Sequence, residues 1–324
     1  MKRLQLGTSK IEVSALALGT DLIGSNIDAE KSFALLNTYF EQGGNFLDTG
    51  NFYASWIPGF HGGESETTIG KWMKDRHNRD QMVISTKLAF DYPGSPGGLS
   101  AGEIVRECEK SLKRLQTDRI DLYQAHRDDR SVPMEETMEA FDRLVKSGKV
   151  HALGASNLPL WRISEANEIA RNNRWTPYSV VEQRYTYLRP RHGADFGPQI
   201  FLSNDLKDYA AYYGITLMGY SIFLRGAYVR SDRDIPVQFS GEDSKERLET
   251  LQAVSREAGC TPVQTIIAWM RQSTPPILPI IAASREDQLR ENIDALGVAL
   301  SEAQMQRLET AGNPNEGQGW IQSK

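Results

Sequence analysis

The chain has 324 residues, with 37 Lys and Arg against 42 Asp and Glu, for a formal net charge of −5. That length suits an α/β barrel built as one domain, 1–324, and the acidic balance excludes the basic field that a nucleic acid or an anionic membrane demands. No stretch approaches the roughly 18 apolar residues of a membrane span, and two cysteines, Cys108 and Cys260, make no disulfide framework and lack metal-ligand spacing.

In chain order, segments 2–6 and 11–13 around Gly7-Thr8-Ser9 predict a β-hairpin that plugs the bottom of a barrel. The basic residues at the start have no apolar run behind them, so no secretory signal and a cytoplasmic setting are expected. Short apolar runs at 15–18, 45–48, 82–86, 120–125, 150–154, 179–182, 215–219 and 277–281 predict eight strands. Between them lie stretches of helical period, such as Ile104, Val105, Cys108, Leu112 and Leu115 on one predicted face. Gly43-Gly44 fits a helix end, Ser100 with Glu103 reads as a capping box, and Thr261-Pro262 as an N-cap followed by proline at N1. Strands alternating with helices imply a parallel sheet, and eight such units without a midway linker predict a closed (β/α)8 TIM barrel. The longer loops, 51–63, 90–99, 187–198 and 228–243, follow strands and should crown the C-terminal face, where this fold builds its active sites. The polar tail 312–324, with Trp320 its one large apolar group, is expected to be mobile.

Three successive predicted strands each deliver ionisable residues to that rim. Asp48 ends the second, with Tyr53 just beyond it; Lys87 follows the third and His126 the fourth. Taken singly, these are an ordinary turn residue, a packing aromatic, a solvated lysine and a hydrogen-bonded histidine; their convergence suggests proton transfer to a carbonyl oxygen. A phenol titrates at about 10, too high for easy exchange near neutrality, and a neighbouring ammonium favours its phenolate. Lys87 is therefore expected to lower the Tyr53 pKa, Asp48 to fix Lys87, and His126 to orient the substrate oxygen. No G-x-G-x-x-G or G-x-x-x-x-G-K-[ST] occurs, which excludes a Rossmann or P-loop site, and the five histidines form no ligand cluster, so no metal is expected.

Gly44-Asn45-Phe46-Leu47-Asp48-Thr49 with Tyr53, Gly63-Glu64-Ser65-Glu66 with Ile69-Gly70, and the Lys87 strand together resemble the aldo-keto reductase superfamily. So do Asp118 to His126, Ser147 to Val150, Gly154-Ala155-Ser156-Asn157 and Glu182-Gln183. The resemblance implies a catalytic tetrad of Asp48, Tyr53, Lys87 and His126, with Tyr53 as general acid in reduction of an aldehyde or ketone, or base in the reverse reaction. It implies NADP(H) across the top of the barrel, with NAD(H) as the alternative. Ser156, Asn157 and Gln183 would hold the carboxamide of the nicotinamide and Tyr220 would stack on its ring. Gly19, Thr20 and Asp21 would line the cleft beside it, and Ser221, Leu224 and Gly226 would run beside the pyrophosphate. Ser284, Arg285, Gln288 and Asn292 match positions near the adenosine 2′-phosphate and the adenine. Three departures stand out: Ile222 replaces the usual proline, Arg225 stands where small residues are commoner, and Ala282 replaces a frequent glycine or lysine. Arg285, with Ser284, is then the main phosphate ligand expected.

Trp56, Ile57 and Phe60 past Tyr53, Phe90 and Tyr92 past Lys87, and Arg127 to Asp129 past His126 are the expected substrate wall, with Trp56, Phe90 and Arg127 foremost. Such a mixture suits a small-molecule carbonyl carrying ring surface and hydroxyls. Two other readings compete: a cofactor-binding regulatory subunit similar to potassium-channel β-subunits, and a barrel lyase using Lys87 as a Schiff base.

Overall fold

The computed structural model describes residues 1–313. Of the tail expected to be mobile, residues 314–324, with Trp320, lie outside the described residues.

The hairpin forms from β1 (Arg3–Gln5) and β2 (Glu12–Ser14), paired antiparallel with Leu4 opposite Val13. Its turn needs a residue without a side chain. Gly7 has φ +55°, and a Cβ there would sit 2.1 Å from the Ser179 carbonyl oxygen.

Eight parallel strands close the barrel in the order β10-β3-β4-β5-β6-β7-β8-β9. They are β3 (Ala17–Gly19), β4 (Phe46–Asp48), β5 (Val83–Leu88), β6 (Ile120–Ala125), β7 (Val150–Ser156), β8 (Tyr178–Arg184), β9 (Thr216–Tyr220) and β10 (Ile277–Ile281). Each falls on a run expected from the sequence, and β5, β7 and β8 continue by two residues towards the C-terminal rim, where neighbouring strands still offer ladder partners. The helices α1 (Ala29–Glu41), α2 (Glu64–Arg76), α3 (Ala101–Leu115), α4 (Met134–Lys146), α5 (Leu160–Asn173) and α6 (Asn204–Tyr213) each follow a strand. After β9 come α7 (Ser244–Glu257) and α8 (Pro262–Gln272), and after β10 come α9 (Glu286–Asp294) and α10 (Glu302–Thr310).

Local signals place these helices. Thr261 caps α8 in a full capping box with Gln264, with Pro262 in the first turn. Ser100 caps α3 through the Glu103 amide, but the Glu103 carboxylate turns to Ser95 and Arg106, so only half of the expected box forms. On α3 the buried stripe is Ile104, Cys108, Leu112 and Leu115; Val105 lies off it and is exposed. Such stripes bury the helices against the outer barrel wall.

Inside the barrel, side chains two residues apart on a strand face the same way. The lowest inward layer is apolar: Ala17, Phe46, Val83, Leu122, Ala152, Val180, Met218 and Leu278 pack with Leu6 and Val13 of the hairpin. The hairpin thus closes the bottom of the barrel.

Candidate active site

One step of the same period above that apolar layer, the inward positions become polar: Asp48 on β4, Ser85 on β5, Gln124 on β6 and Glu182 on β8. Lys87, a further step up β5, is fully buried. Charges at such depth persist only when paired. The Lys87 Nζ donates to Asp48 Oδ2 at 2.5 Å, to the Thr49 carbonyl at 3.0 Å and to the Tyr53 hydroxyl at 3.1 Å, and these three bonds use its three protons. Below, Ser85 Oγ donates to Asp48 Oδ1, and the Gln124 amide donates to Ser85 Oγ and to Glu182 Oε2. Glu182 Oε1 lies 3.4 Å from the Lys87 ammonium. Lys87 therefore stands between two buried carboxylates. Burial works against its charge, but Asp48 and Glu182 outweigh burial and raise its pKa.

Tyr53 arrives from the loop after β4, which Asn51 anchors twice. The Asn51 amide N–H donates to the Lys87 carbonyl, and its side-chain amide donates to Glu107 on α3. The Tyr53 pKa is not, on balance, lowered by Lys87, contrary to the expectation from the sequence. The ammonium does pull it down, but burial is the larger effect and the phenol stands well above 10. His126, just past β6, is held well below its ordinary 6.5 by burial and then by the Lys87 and Arg127 charges. Its Nδ1 is buried without a partner. An unmet lone pair is cheaper to bury than an unmet N–H, which favours the neutral ring carrying its proton on Nε2.

The residues expected around a nicotinamide gather beside this group. Asn157, in left-handed conformation at φ 58°, donates to the His126 carbonyl and to Ser156 Oγ. Its Oδ1 accepts from the Ile200 amide and from the Tyr220 hydroxyl at 2.7 Å, so its side chain ties strands β6, β7 and β9 together. Gln183 donates to the Leu158 carbonyl, while its Oε1 is buried and unpartnered, an acceptor that a carboxamide N–H would satisfy. The Thr20 hydroxyl is committed to the Asp48 carbonyl and to Ser65. Burial, the first cause, and the Asp48 charge raise the Asp21 carboxyl above its usual range, although the Lys87 charge opposes them.

The described backbone has nine non-glycine residues at positive φ. His77, Gln116 and Arg174 are helix C-caps; Ala54, Ala89, Asn157, Ser221, Leu224 and Arg225 lie beyond the C-terminal ends of barrel strands. Uncommon backbone conformations gather where a site is built. Leu224, Arg225 and Gly226 form a short 3-10 turn there. Farther out, Arg285 at the start of α9 is exposed and makes a two-bond pair with Asp287, both at 2.9 Å. Ser284 binds Gln288, and Asn292 is buried on the Ala282 carbonyl. A phosphate at this end would compete with Asp287 for the Arg285 guanidinium.

The wall beside Tyr53 is aromatic. Phe52 stacks on Phe90 with centroids 4.6 Å apart and meets Trp56 at 5.1 Å and His126 edge-on at 5.1 Å. Trp56 is half exposed, and the Arg127 guanidinium lies over Phe90 at 4.9 Å while pairing loosely with Asp91. Phe52, which connects these rings, was absent from the expected wall; its adjacency to Tyr53 was the available signal. Tyr92, Asp128 and Asp129 have other work. The Tyr92 hydroxyl binds Glu107, Asp128 pairs with Arg162, and Asp129 accepts the amides of Leu99 and Ser131.

The profile of the Aldo/keto reductase family matches residues 15–313. Norsolorinic acid reductase from Aspergillus flavus is 31% identical over 329 aligned positions, covering 95% of this chain and 80% of that protein. A putative aryl-alcohol dehydrogenase from Saccharomyces cerevisiae is also 31% identical, covering 94% of this chain and 84% of its own length. Among solved structures, a thermostable aldo-keto reductase crystallised with the inhibitor epalrestat superposes with a TM-score of 0.76 at 28% identity, covering 96% of this chain and all of that one.

Proposed function

The chain belongs to the aldo/keto reductase family, and within that family's carbonyl oxidoreduction we propose that it reduces an aromatic aldehyde or ketone, or oxidises the corresponding alcohol, with NADP(H). The observation that carries this reading is the Tyr53 hydroxyl held 3.1 Å from a fully buried ammonium, beside a neutral histidine. When bound, NADPH would be the source of a hydride for the carbonyl carbon. The chain's own residues handle the oxygen. Nε2 of His126 donates a hydrogen bond that orients the substrate oxygen, and the Tyr53 hydroxyl gives it a proton. The resulting phenolate faces the Lys87 ammonium, which stabilises it without moving. In the reverse direction the same phenolate takes the alcohol proton.

Gln183 Oε1 and Ser156 fit the carboxamide of a nicotinamide, with Tyr220, fixed by its bond to Asn157, positioned to stack on the ring. Gly19, Thr20 and Asp21 would border that end, and the left-handed turn through Ser221, Leu224 and Gly226 would run beside the pyrophosphate. Arg285 with Ser284, Gln288 and Asn292 would meet the adenosine end, and an arginine there favours NADP(H) over NAD(H). The rings of Phe52, Trp56 and Phe90 support an aryl substrate, as do the names of the relatives, a norsolorinic acid reductase and an aryl-alcohol dehydrogenase. A Schiff-base role fits Lys87 poorly, because all its protons are committed and its charge is reinforced.

The test is a fluorescence titration with NADPH and NADH, followed by turnover of a carbonyl panel by the wild type and Tyr53→Phe. Tight NADPH binding with turnover that collapses in the variant is the expected result. Binding without turnover in either protein favours a regulatory cofactor-binding role, and no binding of either nucleotide overturns the reading.

A further inference from the structure

Lys87 needs one carboxylate to balance its charge, and Asp48 already supplies it at 2.5 Å. Glu182 is a second, almost wholly buried carboxyl facing the same ammonium, and it is not hydrogen-bonded to Lys87 at its 3.4 Å separation. Five side chains form a closed ring inside the barrel: Lys87 to Asp48, Asp48 to Ser85, Ser85 to Gln124, Gln124 to Glu182, and Glu182 back to Lys87. With both carboxyls ionised the ring carries an uncompensated negative charge in a buried interior. With a proton on Glu182 it is neutral.

We propose that Glu182 is a positioning residue of this site, acting through Lys87 as a second carboxyl that holds a proton of its own and decides the net charge behind the Tyr53 phenol. The inference rests on the proton-transfer role assigned to Tyr53 above. The groups facing Glu182 are Asp48 from β4, Lys87 from β5 and Tyr220 from β9, with the uncharged Gln124 from β6 and Ser156 from β7 beside it; Tyr53 and Asp21 complete the set around Lys87. Burial first, and the Asp48 charge second, push the Glu182 carboxyl up to about 8, while Lys87 and the Gln124 bond oppose that rise. When the Glu182 proton leaves, the added negative charge disfavours the Tyr53 phenolate.

The experiment is an infrared pH titration of the whole protein in the absence of substrate, paired with pH profiles of alcohol oxidation for wild type and Glu182→Gln. The wild type is expected to lose a protonated-carboxyl band with a midpoint of about 8, and Glu182→Gln to lack that band. In turnover, glutamine mimics the neutral acid. The kcat/KM of the variant should therefore lack the inflection near 8 that the wild type shows. If Glu182→Gln does not fold, Gln124→Met removes a bond that favours the ionised carboxylate and should move the wild-type midpoint upward. No titrating buried carboxyl, an unmoved midpoint in Gln124→Met, or parallel profiles for wild type and Glu182→Gln would each overturn the proposal. The infrared band needs no turnover, so absence of carbonyl reduction would count against the proposed activity and not against the proton on Glu182.

Discussion

The Tyr53 hydroxyl accepts a hydrogen bond from a Lys87 ammonium that is itself inaccessible to solvent. Lys87 can therefore act on the phenol only by charge and by that one bond. Burial makes the unliganded phenol a weak acid, so in the proposed reaction its proton release would be coupled to a substrate oxygen that becomes basic as it is reduced.

Tyr53→Phe removes the proposed proton donor while keeping the ring against Phe52 and Trp56. The kcat for carbonyl reduction should fall by roughly 10²- to 10⁴-fold, with NADPH affinity unchanged. Stopped-flow reduction beside a binding titration separates the two, and a variant retaining a tenth of wild-type kcat would remove Tyr53 from the acid role.

Lys87→Met leaves Asp48 and Glu182 facing each other without a cation. Breaking a buried pair in this way costs about 3–5 kcal/mol of stability, so a lowered urea midpoint is expected along with lost activity. Asp48→Asn with Lys87→Met should recover part of the stability but none of the turnover.

Stability should fall as pH falls below the ordinary histidine range. Burial, with the Lys87 and Arg127 charges, lowers the folded His126 pKa well below 6.5, so the unfolded chain takes up a proton that the folded chain refuses. The contribution is fully present above about 6.5 and is lost, by up to ~1.4 kcal/mol per pH unit, on going down towards the folded value. Denaturant unfolding across that window should be flatter for His126→Gln than for the wild type.

Arg285→Ala should weaken NADPH binding by about tenfold or more and leave NADH binding unaltered, because only NADPH carries the adenosine 2′-phosphate. Asp287→Ala should act in the opposite sense by releasing the guanidinium from its local pair. Equal affinities for NADPH in all three proteins would dissociate this arginine from cofactor choice.

Trp56→Ala should raise KM for aryl aldehydes by roughly 1–3 kcal/mol equivalent and spare small aliphatic ones. Steady-state kinetics on a matched pair of substrates reads this directly.

The order of apolar runs, their lengths and the caps at Thr261 and Ser100 were enough to place eight strands, the closing hairpin and the rim positions of Asp48, Tyr53, Lys87 and His126, because strand period and capping are local properties of the chain. Phase along a strand is local as well: Val180 and Glu182 share a face, and that parity could have directed attention to Glu182. What pairs with what is decided only by closure of the barrel. It brings Glu182 of β8 across the interior to Lys87 of β5, and Gln124 to Ser85, through separations that no local pattern encodes. The sign of the Tyr53 shift was likewise beyond the sequence. A neighbouring lysine is visible in the residue order, but the burial that outweighs it exists only once the barrel has excluded water.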